Sequence, residues 1–278
     1  MCIRDRDGLK VLELARVLAG PWAGQLLADL GAEVIKVESP VGDETRKWGQ
    51  DSFNNNSSYF KCTNRGKSSF VANFKKKNEL EMVQHLAKNA DIIIENYKVN
   101  NLKEYKLDYK NIKKINKSII YCSITGFGQN GPLALLPGYD FVIQAMAGIM
   151  SITGEKDGPP IKPGVAYADI FTSLYSVIAI QAALHSRKKT GIGSFIDMSL
   201  YDTQLAVLAN QASTYLLNGK EPKRMGNKHP SIVPYQLFEA KDGDIIIACG
   251  NDQQFKSLCN AFEWDFANSK KFLSLIHI

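Results

Sequence analysis

Apolar and polar positions alternate along this chain at two periods that succeed one another. Val11-Leu12-Glu13-Leu14 reads as a short buried strand. A Gly20-Pro21 break follows, then a helical pattern from Trp22 to Leu30 closed by Gly31. Val34-Ile35-Lys36-Val37 is the next strand, which completes a β-α-β unit with the expected right-handed crossover. Two more helix-to-strand pairs repeat the theme: Glu79 to Lys88 into Asp91–Glu95, and Tyr109 to Ile115 into Ser118–Ser123. This alternation predicts an α/β fold with a doubly wound, Rossmann-like and mostly parallel sheet.

Beyond it the spacing is mainly helical, over Tyr139–Met150 and over Asp169–Lys188, where a basic last turn runs up to Gly191 as C′ residue. Phe195–Ser199 returns as a strand and leads into a long helix from Tyr201 to Leu217. Asn218 to Pro234 is polar and turn-rich. Tyr235–Ala240 and Ile245–Ala248 then flank an Asp242-Gly243 hairpin signal, and Gln253–Phe262 is an amphipathic helix. The pattern divides the chain into a large domain over 8–217, a linker or active-site loop over 218–230, and a second, smaller α/β domain over 231–272 that reads as incomplete. Residues 1–7 and 273–278 fit no neighbouring pattern and read as a foreign or disordered tail at each end.

Composition narrows the function classes. Of 278 residues, 45% are hydrophobic and 22% charged, which excludes disorder and supplies one large core or two modest ones. No apolar run reaches bilayer-spanning length and no secretory signal opens the chain, so a cytoplasmic protein without a membrane partner is expected. Cys2, Cys62, Cys122, Cys249 and Cys259 are scattered, with no CxxC pair or nearby ligand-spaced His. They are expected as buried small hydrophobes, with no disulfide frame and no metal site. The net charge of +6 reads either as a solvated lysine-rich surface or as a patch that receives phosphates. Its clusters, Lys75-Lys76-Lys77, Lys113-Lys114 and Arg187-Lys188-Lys189, lack interleaved aromatics, and no nucleic-acid partner is expected.

Three motifs carry possible chemistry. Gly126-Phe127-Gly128-Gln129-Asn130-Gly131 fits the dinucleotide fingerprint and follows a strand, but Pro132 and Pro137-Gly138 deny it the helix such a site needs, so it reads as a loop. His85 and His185 lie in amphipathic helices and His277 in a tail, which leaves His229 alone in a plausible site loop, with no nucleophile elbow. Asp169 stands where the extended segment 162–168 enters the apolar run from Ile170 to Leu184. Locally it has two readings, a helix N-cap or a nucleophile.

Gly8–Leu14, Arg16–Pro21, Leu26–Glu38 and Gly42-Asp43 resemble the opening of the family III CoA-transferases, the CaiB/BaiF group. Asn64–Ser68, Ala90–Tyr97, Pro137–Asp140 and the segment ending in Asp169 extend the resemblance from residue 8 to about 262. The loop Arg224–Gln236, with Gly250–Phe255, resembles the succinyl-CoA:glutarate branch.

The resemblance implies an enzyme that moves CoA from an acyl-CoA donor, such as succinyl-CoA, to a small carboxylic acid, such as glutarate. Asp169 is then the nucleophile, forming first a mixed anhydride and then an aspartyl-CoA thioester. An aspartate ionised at neutral pH would be activated by desolvation, with backbone N–H groups at the helix start holding the oxyanion. By position, Val17, Leu18 and Ala19 match the pantetheine strip, Asn96, Tyr97 and Lys98 the nucleotide strip, and Tyr139 and Asp140 the residues beside the thioester. Arg65 and Lys67 are the phosphate candidates, and His229 belongs to the acceptor side. Ser39 and Glu104 stand where other members carry basic residues, with Lys103 or Lys106 as substitutes.

No permanently bound cofactor is implied. The expected partners are acyl-CoA, the acid and a second copy in an interlocked homodimer, whose C-terminal return this chain stops short of. The alternatives are an α-methylacyl-CoA racemase of the same fold, which would carry His in place of Tyr139, and a non-catalytic acyl-CoA-binding paralogue.

Overall fold

The computed structural model describes residues 7–49, 52–53, 56–268 and 272. The stretches 1–6 and 273–278, with Cys2 and His277, lie outside the described residues. The chain divides into two units, one of residues 1–148 and 163–210, the other of 149–162 and 211–278.

The first unit is built on a six-stranded, all-parallel sheet. Its strands are β1 (Lys10–Leu14), β2 (Glu33–Glu38), β3 (Lys67–Val71), β4 (Ile92–Glu95), β5 (Ile120–Thr125) and β6 (Ser194–Ser199), in the spatial order β3-β2-β1-β4-β5-β6. Strands β4 and β5 are buried throughout, as strands covered on both faces must be. Alternate side chains sort the core into two halves. Val11, Ile92, Ile94, Ile120, Cys122 and Ile124 pack with α1 (Ala19–Asp29) and the long helix described below. Leu12, Leu14, Ile93, Ile119 and Tyr121 pack with α3 (Lys77–Asn89) and α4 (Tyr109–Ile115). Helix α2 (Ser58–Asn64) precedes the edge strand β3; neither is evident from the apolar spacing.

Several boundaries differ from the sequence reading. Helix α1 begins at Ala19, so Pro21 sits in its first turn, where its missing N–H costs nothing, and does not break it. The pattern over 139–150 resolves into α5 (Asp140–Met146) and a short α6 (Ile149–Ile152), parted at Gly148 with φ 94°. The pattern over 201–217 likewise splits into α8 (Leu200–Ala206) and α9 (Ala209–Asn218), with Ala209 left-handed at φ 46°.

Helix α7 (Tyr167–Thr190) has 24 residues and, by length and composition alone, is apolar enough to cross a membrane, which the sequence reading did not register. Here its Ala168, Thr172, Ser176, Ile180, Ala183 and Leu184 form a buried face, with Ile180, Ala183 and Leu184 in the sheet core. Cys122, Cys249 and Cys259 are buried, but Cys62 is exposed, contrary to expectation, because it lies on the outer side of α2. In the second unit β7 (Tyr235–Ala240) and β8 (Gly243–Ala248) form the antiparallel hairpin, and α10 (Asp252–Ala261) buries Phe255 and Cys259 beside Cys249.

Candidate active site

In this strand order the direction of winding reverses between β1 and β4, and a doubly wound sheet offers its ligand crevice beyond the carboxyl ends of such a pair. A cleft lies there. Its walls are Arg16–Ala19 after β1, Asn96–Val99 after β4, Ile124–Gly126 at the end of β5, Ala134–Asp140, Asp169 and Leu200. Val17, Leu18, Ala19, Asn96, Tyr97, Lys98, Tyr139, Asp140 and Asp169, distant in sequence, are thus brought together in one cleft.

The loop after β1 is tightly held. The Asn96 side-chain amide accepts from the Arg16 N–H at 2.9 Å and donates to the Arg16 carbonyl at 2.7 Å. Val17 is left-handed at φ 67°, a strained conformation for a β-branched residue. The first of the fingerprint glycines has a packing role: a Cβ on Gly126 would lie 2.5 Å from the Gly138 Cα, so the chain just before Tyr139 can cross the end of β5 only over glycine.

Asp169 is not the N-cap of its helix. It is the third residue of α7, whose capping position is Ala166, with no side-chain cap of its own. The cap comes from Asp140, whose Oδ1 accepts from the N–H groups of Ala168 at 2.9 Å and Asp169 at 3.3 Å, while its Oδ2 accepts from Gln144 at 2.8 Å. Those two helix-start N–H groups, expected to be open to an oxyanion, are therefore already engaged by Asp140. Burial, then the Asp140 charge, pushes the Asp169 carboxyl up to about 7, so it is half protonated at neutral pH and not fully ionised as the sequence suggested. Tyr59 is a residue that sequence reasoning missed. Burial, then the Asp169 charge, pushes its phenol up to about 12, and its ring meets Trp48 edge-on at 5.2 Å. Nothing in the local pattern of α2 marks that tyrosine.

Both phosphate candidates have other work. Lys67 is buried, with Nζ 2.7 Å from Glu13 Oε2 and donating to the Pro21 carbonyl at 2.7 Å and Asn64 Oδ1 at 3.0 Å. Lys36 shares that carboxylate at 3.1 Å and reaches Asp43 at 3.0 Å. Burial and the Lys36 charge bring Lys67 down to about 8, whereas Glu13 and Asp43 outweigh the burial of Lys36 and raise it. Arg65 forks onto Asp29 at 2.9 and 2.5 Å on the exposed side of α1. Of the substitutes, Lys103 lines a neighbouring cavity that shares Lys98 and Val99 with the cleft. His229 lies in the second unit, where its Nδ1 accepts from the N–H groups of Ser231 and Ile232 at 3.1 and 3.2 Å and its ring packs on Tyr235. Those contacts shape its own loop.

The family model described as CoA-transferase family III matches residues 7–275. The chain belongs to CoA-transferase family III. Succinate–glutarate CoA-transferase of Agrobacterium fabrum is 55% identical over 91% of this chain, and succinyl-CoA:glutarate CoA-transferase of Homo sapiens is 47% identical over 94% of it. The family III chain described here spans 65% and 60% of the lengths of those two relatives. A solved CaiB/BaiF family protein from Brucella suis superposes with a TM-score of 0.87 at 55% identity, covering 98% of this chain and 73% of that one.

Proposed function

We propose that the intact protein transfers CoA from succinyl-CoA to a small dicarboxylate, with glutarate the first acceptor to test, and that Asp169 is the covalent nucleophile. The observation that carries the reading is a carboxyl group raised to about 7 by burial, set in the cleft at the winding reversal of the sheet. A partly desolvated carboxylate attacks more readily than a fully solvated one, and a value near neutrality keeps about half of it ionised.

An Asp169 oxygen attacks the thioester carbonyl; the C–S bond breaks and CoA leaves as thiolate, giving a mixed anhydride. The thiolate then attacks the aspartyl carbonyl, which releases succinate and leaves an aspartyl-CoA thioester. Glutarate attacks that thioester and expels CoA again, and the thiolate takes the glutaryl group, restoring the Asp169 carboxylate. Both intermediates hydrolyse if water enters, which is a reason for the site to be walled by Leu18, Ile124 and Leu200. On the same reading the protein works as a homodimer, supported by Phe141, Val142, Met146 and Ile178, which α5 and α7 leave exposed.

The test is turnover with succinyl-CoA and free dicarboxylates, followed by chromatography of the CoA esters, together with hydroxylamine trapping of protein incubated with acyl-CoA. Glutaryl-CoA should form and the adduct should map to the peptide containing Asp169. Asp169→Asn should bind acyl-CoA but give neither product nor adduct. Exchange of the substrate α-proton with solvent deuterium, without an adduct, would identify a racemase; binding with neither would identify a non-catalytic paralogue.

A further inference from the structure

We propose that Asp43, held by Lys36, is a positioning residue that clamps Val17 in its strained conformation and so sets the shape of the loop that grips acyl-CoA beside Asp169. Three side chains from outside the loop pin its backbone. Lys36 Nζ donates to the Ala15 carbonyl at 2.7 Å, Asn96 holds Arg16 from both sides, and Asp43 Oδ2 accepts from the Val17 N–H at 3.3 Å. The second and third act where they are needed, flanking the φ of 67° that a β-branched residue avoids.

Asp43 is itself fixed. The Lys36 ammonium stands 3.0 Å from the same Oδ2, the N–H and hydroxyl of Thr45 donate to its Oδ1 at 3.0 and 2.7 Å, and its own N–H donates to Glu38 Oε2 at 2.9 Å. Lys36 and Asp43 are almost wholly buried, so this anchor is held in a low-dielectric setting that water does not loosen. The far end of the loop is tied to the nucleophile: the Ser173 hydroxyl lies 2.6 Å from the Ala19 carbonyl and 2.7 Å from the Asp169 carbonyl. A contiguous path therefore runs from Lys36 through Asp43, Val17 and Ala19 to the start of α7. Neither Lys36 nor Asp43 is needed to touch the reacting atoms.

The inference rests on the acyl-CoA reading of the cleft, and a double-mutant cycle separates the two. The intact protein, Asp43→Asn, Val17→Gly and the double variant are compared for acyl-CoA KM, kcat and adduct formation. Glycine adopts φ 67° freely, so it has no need of the clamp. Asp43→Asn should raise the acyl-CoA KM about tenfold in the Val17 protein and less than twofold in the Val17→Gly background, a coupling of about 1 kcal/mol. An equal penalty in both backgrounds, or none in either, would overturn the inference, because a general structural defect has no reason to vanish when one glycine is introduced. Absence of adduct and turnover in the unmodified protein would instead sink the CoA-transfer reading.

Should Asp43→Asn fail to fold, Val17→Gly and Val17→Ala are compared in thermal melts. A held strain makes the glycine variant the more stable by about 2–4 °C, and equal melting or the reverse order overturns the clamp.

Discussion

Asp169→Asn should abolish transfer and at the same time stabilise the fold, by an amount that depends on pH. In the unfolded chain the Asp169 carboxyl loses its proton near 3.8; in the folded protein burial and the Asp140 charge hold the proton until about 7. A carboxyl raised in this way contributes stability that is fully present below the unfolded value and is lost as pH rises through the folded one. The shift of about three units corresponds to about 4 kcal/mol at 1.36 kcal/mol per unit, and the access of the side chain to solvent in the cleft reduces the working figure to about 2 kcal/mol. Asparagine carries no proton to lose. Its backbone N–H still donates to Asp140 and its carbonyl still meets Ser173, so the helix start is retained. The advantage of the variant should be small near about pH 4, grow up to about pH 7 and level off above it, reaching roughly 4–8 °C in melting temperature. Thermal melts of the two proteins across that range read the effect directly. A difference that stays constant with pH, or a variant less stable than the parent at about pH 8, would refute the assignment of a raised carboxyl.

Two further outcomes follow from the ionic cluster under the cleft. Burial pushes Glu38 up, but the Arg46 fork, the Ser69 hydroxyl and the Asp43 N–H outweigh it and hold the carboxyl at about 2, so about 3 kcal/mol is present above about pH 4.5 and lost as the pH falls towards 2; Glu38→Gln should flatten that acid limb in denaturation curves, and an unchanged slope would count against the Arg46 pairing. Gly24→Ala should destabilise by about 3 kcal/mol in urea unfolding, because a Cβ there would lie 1.9 Å from Glu13 Oε2 and drive it from its lysines; a gain in stability, as helix propensity alone would give, would show that Glu13 can move aside.

What sequence could reveal divided along physical lines. The sheet was legible because Ile92–Ile94 in β4 and Ile119–Cys122 leading into β5 are apolar runs and the helices between the strands carry their own period, both local signals. The edge strand β3 was not: Lys67-Ser68-Ser69-Phe70-Val71 has only partly buried and exposed positions and no apolar run. The carboxylate that caps α7 was hidden for a different reason, since Asp140 reaches Ala168 from a helix 28 residues earlier in the chain. Val17 was hidden because a left-handed turn normally announces itself by glycine.

Lys67 was read as a phosphate candidate, although the sequence contained a sign of its ionic partner in the core. Glu13 sits inside Val11-Leu12-Glu13-Leu14, a strand with no exposed position from Val11 onward, and a carboxylate there has to be met by a cation. Lys36 occupies the equivalent place in the next buried strand, and the register sets the two directly across from each other. Two oxygens on Glu13 leave room for a second ammonium, and Gly24 leaves open the space from which Lys67 supplies it. Taken in that order, opposite charges set across from each other inside two adjacent buried strands predict an ion pair before they predict a phosphate site. On the proposed reading the phosphates of CoA would then be met by basic residues that the core leaves over, and Lys98 and Arg16, the latter 3.4 Å from Glu44, stand on the wall of the cleft.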